Sequence, residues 1–202
     1  MRTTSGLSLG TTTALAICLA APHAAMSADT NGNYALRGVG SASCNTYTEA
    51  LENDTTRAQA YIAWMAGYIT ARNRTGAETF DVLPLISGAD VAGLMRVVCL
   101  QNSDTSFEGA VDAALNLFYP ARVKEDSPLL QLEHDGRQIS IRVATLAQVQ
   151  AALSKKGLYS SSIDGAYGPS TRTAIQEFQK SRKLNETGLP DADTLVALLL
   201  AE

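Results

Sequence analysis

Apolar positions recur at helical spacing in six separate windows of this chain. From residue 54 onward, Ala58, Tyr61, Ile62, Met65 and Ile69 fall on one face, the i, i+3, i+4, i+7 pattern of an amphipathic helix. Asp54 or Thr55 can cap its start, and residues 73–76, which close on a glycine, end it. A second helix is predicted over residues 89–100, with Val91, Leu94, Met95 and Val98 as its stripe and Cys99 near its end. Phe107, Val111, Leu115 and Phe118 mark a third before Pro120 stops it, and Thr105 with Glu108 fits the capping-box pattern at its start. Residues 29–43, rich in Gly, Ser and Asn, read as an extended lead-in to Cys44. The short apolar stretch 80–86 suits strand and helix equally.

Residues 121–128 carry charges and a proline and read as a boundary. After them, 129–132 and 138–143 flank an Asp135-Gly136 pair, with Gln138, Ser140 and Arg142 alternating with Ile139, Ile141 and Val143. That is a hairpin signature, and a lone two-stranded hairpin is marginal in water, so it has to pack on a domain or stay a partly ordered linker. Leu146, Val149 and Leu153 then give a fourth helical stripe, with Lys155 and Lys156 complementing the helix dipole and Gly157 suited to the left-handed residue beyond the end. Asp164-Gly165 and Tyr167-Gly168 punctuate a loop, and Pro169 fits the first turn of a fifth helix whose inward face is Thr171, Ala174, Ile175 and Phe178. The last helix follows Pro190, with Asp191 as cap and Leu195, Leu198 and Leu199 inward.

Charge removes one class of function. The net charge is -4 over 202 residues. From residue 29 to 128 there are 12 acidic and 7 basic residues, and from 145 onward 6 of each. No basic stripe is available to neutralise phosphates, so a nucleic-acid binder is not expected.

The N-terminus reads as an export signal: Arg2, a largely apolar run over residues 7–21 and small residues around 24–28, with cleavage expected between Ala25 and Asp29. The run is interrupted by Thr11, Thr12 and Thr13 and falls short of the roughly 20 apolar residues of a membrane span, so no stable anchor is expected after cleavage. Ile17 before Cys18 is too bulky for a lipobox. Export implies a periplasmic or secreted protein and leaves Cys44 and Cys99 in an oxidising compartment, where they are expected to pair; two unrelated buried thiols are the alternative.

The C-terminal residues resemble the peptidoglycan-binding-like domain family. The resemblance rests on Val149 and Leu153, Gly157 and Leu158, IDGAYGPST over residues 163–171, AIQEFQ over 174–179 and TGLPDADTL over 187–195, in the family's order and spacing. It implies a three-helix fold and peptidoglycan as the partner. Asp164, Gly165, Gly168, Pro169 and Phe178 are motif positions explained by turn, helix start and core. Tyr167, Thr171, Arg172 and Gln179 are the candidate ligand residues: the tyrosine ring can lie on a sugar face or pack, and the guanidinium can pair with a stem-peptide carboxylate or simply be solvated. More loosely, residues 43–120, with a cysteine before one helix and a second on a later helix, are similar to small disulfide-stapled helical periplasmic proteins, namely HdeA-type acid chaperones and Tai-like immunity proteins. Trp64, Tyr61 and Tyr68 on one helix suit either core packing or an unknown protein partner.

Catalytic chemistry finds little material. Export leaves His134 as the single histidine, too few for a zinc hydrolase; a disulfide consumes the thiols a cysteine transpeptidase needs; and no Ser-x-x-Lys, Gly-x-Ser-x-Gly or His-Glu-x-x-His motif occurs. No cofactor or metal is expected. The alternative is a muramidase using acids alone, drawn from Glu49, Glu52, Glu78, Asp81, Glu108 and Asp112. The expectation is a mainly α protein of two small helical domains: a signal at 1–28, a disulfide-stapled helical domain at 29–120, a linker with a hairpin at 121–144 and a three-helix peptidoglycan-binding-like module at 145–202. Its expected role is non-catalytic attachment to peptidoglycan, with HdeA-like chaperoning as a further alternative.

Overall fold

The computed structural model describes residues 29–200; the export signal read over residues 1–28 lies outside the described residues. Residues 29–35 form a local turn in which Asp29 Oδ1 accepts from the backbone of Asn31 and Asn33, at 2.9 and 2.8 Å. From residue 36 onward the structure is mainly helical, with seven α-helices and one hairpin among the described residues.

A 3-10 turn, Gly38–Ser41, leads into α1, Cys44–Asn53. The helix begins where the expected lead-in over residues 29–43 ends, in a stretch for which the sequence pattern predicted no element. Ser43 caps it by accepting from Thr46 N, and Tyr47 and Ala50 bury its inner face. Helix α2, Thr55–Thr75, follows with Asp54 accepting from Arg57 N as its cap. Helix α3 spans Gly88–Gln101 and α4 Phe107–Phe118. The capping-box expectation at Thr105 is corrected: the cap is Ser106, whose hydroxyl accepts from Gly109 N at 3.2 Å, and Glu108 turns inward. Thr105 instead lends its carbonyl to Cys44 N while Ala42 O accepts from Phe107 N, so the starts of α1 and α4 are zipped side by side.

Cys44 and Cys99 form a disulfide with Cα atoms 4.8 Å apart. Because Cys44 opens α1 and Cys99 lies in α3, the bond joins helix to helix. Closing a loop of 55 residues limits the unfolded chain by about 4 kcal/mol in the chain-entropy description. Beside it, Tyr47, Tyr61 and Phe107 pack with ring centroids 4.6 to 5.0 Å apart and are fully buried. Trp64 stacks on Tyr68 and donates from Nε1 to Arg37 O, its indole lying where any side chain at Gly40 would have to go. These aromatics therefore serve packing.

The stretch 80–86 is neither helix nor strand. It carries a bridge between Asp81 and Val123 and buries Val82, Leu83 and Leu85. A short 3-10 turn at Tyr119–Ala121 follows α4, at the proline expected to stop it. The hairpin is β1, Leu129–His134, and β2, Arg137–Arg142, antiparallel with Leu132 opposite Ile139. Asp135 and Gly136 both take positive φ, 48° and 71°, as a tight two-residue turn demands. Leu132 and Ile141 bury one side of the hairpin in the common core.

Helix α5, Val143–Lys155, begins directly at the hairpin's end. Its first amides find acceptors across the chain: Pro128 O takes Val143 N and Ser127 Oγ takes Ala144 N. It ends as expected on Gly157 at φ 74°, with Gly157 N to Ser154 O and Leu158 N to Leu153 O. Helix α6, Pro169–Arg182, repeats this ending with Lys183 at φ 57° in place of glycine. Helix α7, Ala192–Leu199, is capped by Asp191, which accepts from Thr194 N. Leu146, Val149, Leu153, Ile175, Phe178, Leu195 and Leu198 form the core these three helices share.

Candidate functional site

Two buried glutamines shape the surface loops of the C-terminal helices. Gln150 of α5 is 0 % exposed; its Oε1 accepts from Asp164 N and Gly165 N, and its Nε2 approaches Asp164 Oδ1, Ala166 O, Thr171 Oγ1 and Tyr159 OH at 3.0 to 3.2 Å. Gln179 of α6, also 0 % exposed, does the same for the other loop: Oε1 accepts from Gly188 N, and Nε2 reaches Thr187 Oγ1, Leu189 O and Thr194 Oγ1. A side-chain amide satisfies backbone donors and acceptors together, which is what a tight loop folded over a core needs. Gly165 is fixed by close approach as well: at φ 69°, a Cβ there would lie 2.6 Å from Val143 O. The Asp164 carboxyl is held below its ordinary range, chiefly by the hydrogen bond from Ala166 N and then by the Gln150 amide.

The four candidate ligand residues separate accordingly. Thr171 and Gln179 are buried and committed to internal bonds, so both are corrected from surface contacts to scaffold: a contact residue needs an accessible polar group, and theirs are spent on Ala166 O and the 187–189 loop. Tyr167 and Arg172 remain half-exposed and adjacent. Tyr167 donates its hydroxyl to Gly188 O at 2.7 Å and packs partly against the core, with part of the side chain left accessible. Burial pushes the Tyr167 phenol up, opposed by the Arg172 guanidinium and reinforced by the Asp135 carboxylate. The motif residues behave as turn, cap and core: Gly168 and Pro169 open α6, and Phe178 is 1 % exposed.

Gly188, at φ 69°, is where several of these groups meet. A Cβ at that position would fall 2.9 Å from Arg172 Cγ, 3.1 Å from His134 Cδ2 and 3.2 Å from Gln176 Nε2. The hairpin therefore brings His134 and Asp135, 3.5 Å apart, to the same face as Tyr167 and Arg172. That face carries an aromatic ring, a guanidinium, an imidazole, an amide and a carboxylate, the mixture that sugar rings and peptide carboxylates can use. Sequence reasoning missed His134 because nothing in a strand's local pattern says which helix its tip will touch. A second surface, a groove of about 350 Å³, lies between the 158–161 loop and the start of α6 and carries hydroxyls from Ser160, Ser161, Ser170 and Thr173 beside Glu177.

The acids of the N-terminal helices are engaged. Glu49 accepts from Asn45 Nδ2, and Glu52 pairs with Arg96 at 3.3 Å. Glu78 pairs with Lys124 and Arg122, and Asp81 with Arg142 at 3.0 Å. Tyr68 OH lies 2.7 Å from Glu108 Oε1 and 3.0 Å from Asp112 Oδ1, while Arg72 bonds Asp112 and Asn116. Glu108 is 4 % exposed. Burial, followed by the hydrogen bond to Glu108, holds the Tyr68 phenol far above its ordinary range, so it remains a donor to this pair. Among the described residues no group of three or more His, Cys, Asp and Glu is placed to hold a metal ion, and no helix is long and apolar enough to cross a membrane.

No curated protein and no solved structure matches the chain. Residues 142–198 do match a family, the one described as "Putative peptidoglycan binding domain". The matched span begins at the last residue of β2, encloses α5, both glutamine-clamped loops and α6, and closes within α7. The C-terminal part of this chain is thus a peptidoglycan-binding-like domain of three helices.

Proposed function

We propose that this protein is exported to the cell envelope and attaches non-catalytically to peptidoglycan through residues 142–198, while its disulfide-stapled N-terminal helices engage another periplasmic component. The family match carries the reading. The Tyr167 and Arg172 face supports it with groups suited to a glycan and its peptide carboxylates, and the disulfide fits an oxidising compartment.

The test is sedimentation of the mature chain with purified sacculi. Binding is expected, and Tyr167→Ala combined with Arg172→Ala is expected to weaken it about tenfold or more. A chain that stays in the supernatant overturns the reading. Point variants are preferable to truncation at Pro128, because the truncation also removes Arg142, the ion-pair partner of Asp81, and the buried Leu132 and Ile141 of the hairpin.

An acid-only muramidase is the competing reading, motivated by Glu108 and Asp112 meeting at Tyr68. Their engagement with Tyr68 and Arg72 favours a structural role. Clearing of a murein suspension by the purified protein would decide for the enzyme. HdeA-like chaperoning predicts increasing binding of an apolar dye as pH falls, and a flat response excludes it.

A further inference from the structure

The N-terminal helices enclose a slot that neither the disulfide nor the peptidoglycan-binding-like domain explains. One wall is the stripe Ile62, Met65, Ala66 and Ile69 on α2; the other is Leu85 with Val91, where the 80–86 stretch enters α3. Ile62 and Asn73, its ends along α2, are separated by about 16 Å at 1.5 Å per residue. The slot encloses about 320 Å³. A helix about 10 Å across would need about 1,250 Å³ over that length, so the slot suits a slimmer extended chain, and its apolar walls suit a polymethylene one. Met65 is buried at the floor while Ala66 and Gly88 are exposed at the rim, so a chain can enter from the side.

One end is polar and has a definite sign. Asn73 Oδ1 is taken by Val82 N, and Asp81 accepts from Asn73 Nδ2 and from Arg142 Nε. Arg142 donates Nη1 to Ser127 O and lies 4.8 Å over the Phe80 ring, and its Nη2 has no hydrogen bond among the described residues. The end therefore offers spare N–H donors and calls for an acceptor oxygen. Asp81 already balances the guanidinium charge, so a carbonyl suits the position better than a second carboxylate placed beside Asp81.

The geometry points to a binding site for a single acyl chain joined through an ester or amide carbonyl, that is, a monoacyl lipid, with the chain along Met65 and the carbonyl at Asn73 and Arg142. The site is independent of the murein reading. Arg142 belongs to the matched span 142–198, so the lipid's head would touch both parts of the protein.

The probe is lauroyl lysophosphatidylcholine below its micelle concentration, titrated into the full mature chain by calorimetry and followed by native mass spectrometry, with laurate as comparator. A saturable one-to-one complex is expected, with laurate binding more weakly. Ala66→Trp, which fills the slot from an exposed position, and Gly88→Leu, which narrows it from the other wall, are each expected to weaken binding about tenfold or more, while Ala63→Trp on the exposed side of α2 leaves it unchanged. Melting curves identify a variant that fails to fold, and the other then carries the test. Absence of a one-to-one complex, equal affinity in folded Ala66→Trp or Gly88→Leu protein, or laurate binding as tightly as the ester overturns the assignment.

Discussion

Replacing Gln179 by methionine keeps the side chain's length and removes its amide. In the native protein Oε1 accepts from Gly188 N at 2.9 Å, and Nε2 lies 2.8 to 2.9 Å from Thr194 Oγ1, Thr187 Oγ1 and Leu189 O. With two hydrogens, Nε2 makes at most two full bonds at once. Thr194 Oγ1 keeps its bond to Asp191 and Leu189 O keeps Asp191 N at 2.8 Å, so the group left unsatisfied is Gly188 N. A buried amide left without an acceptor costs about 1–3 kcal/mol, and each further lost bond about 1 kcal/mol. With little change in volume, the cavity contribution is small. The variant is expected to be about 3 kcal/mol less stable in urea denaturation of the oxidised full chain. Under conditions where both proteins are folded, sacculus binding is expected to stay within about twofold. Stability unchanged to about 0.5 kcal/mol together with an approximately tenfold loss of binding refutes the scaffold assignment and returns Gln179 to the ligand.

Other perturbations separate the remaining claims. Gly165→Ala is expected to cost about 2–4 kcal/mol in the same denaturation assay, combining a left-handed backbone with a Cβ driven against Val143. Lys183→Gly, at the left-handed end of α6, is expected to add about 1 kcal/mol, and a loss of stability would show that the lysine's packing outweighs its backbone conformation. Asp90 is raised by burial first and then by Asp191 and Asp193, so its folded state favours the protonated acid. That contribution is present below the unfolded pKa and is lost as pH rises through the folded value. Asp90→Asn is therefore expected to raise the melting temperature at pH 7, with the advantage fading toward about pH 3; a lower melting temperature at pH 7 contradicts the sign.

Residues close in sequence determined most of the helical architecture. The stripes at Tyr61, Met65 and Ile69, at Val111, Leu115 and Phe118, and at Leu146, Val149 and Leu153 each lie on the predicted helix, because burial at 3.6-residue spacing needs no knowledge of the partner. Asp135-Gly136 and Gly157 stand where their tolerance of positive φ placed them. The order of motifs over 163–195 was likewise enough to mark the peptidoglycan-binding-like domain. Tertiary contacts decided the rest. Helix α1 holds residues of modest helix propensity, Asn45, Thr46 and Thr48, and is held by the disulfide and by Tyr47 in the aromatic cluster; only the Ser43 cap with Tyr47, Ala50 and Leu51 hinted at it. Ser106 rather than Thr105 caps α4 because Thr105 is drawn into pairing with the start of α1. Gln179 looks like a surface polar residue until the loop that consumes its hydrogen bonds folds over it, Thr171 lies inward as its helical position placed it, and His134 joins Tyr167 and Arg172 only because the hairpin tip lands at Gly188. Periodicity specifies which face of an element is apolar; whether a polar side chain ends inside or outside depends on partners supplied from elsewhere in the chain.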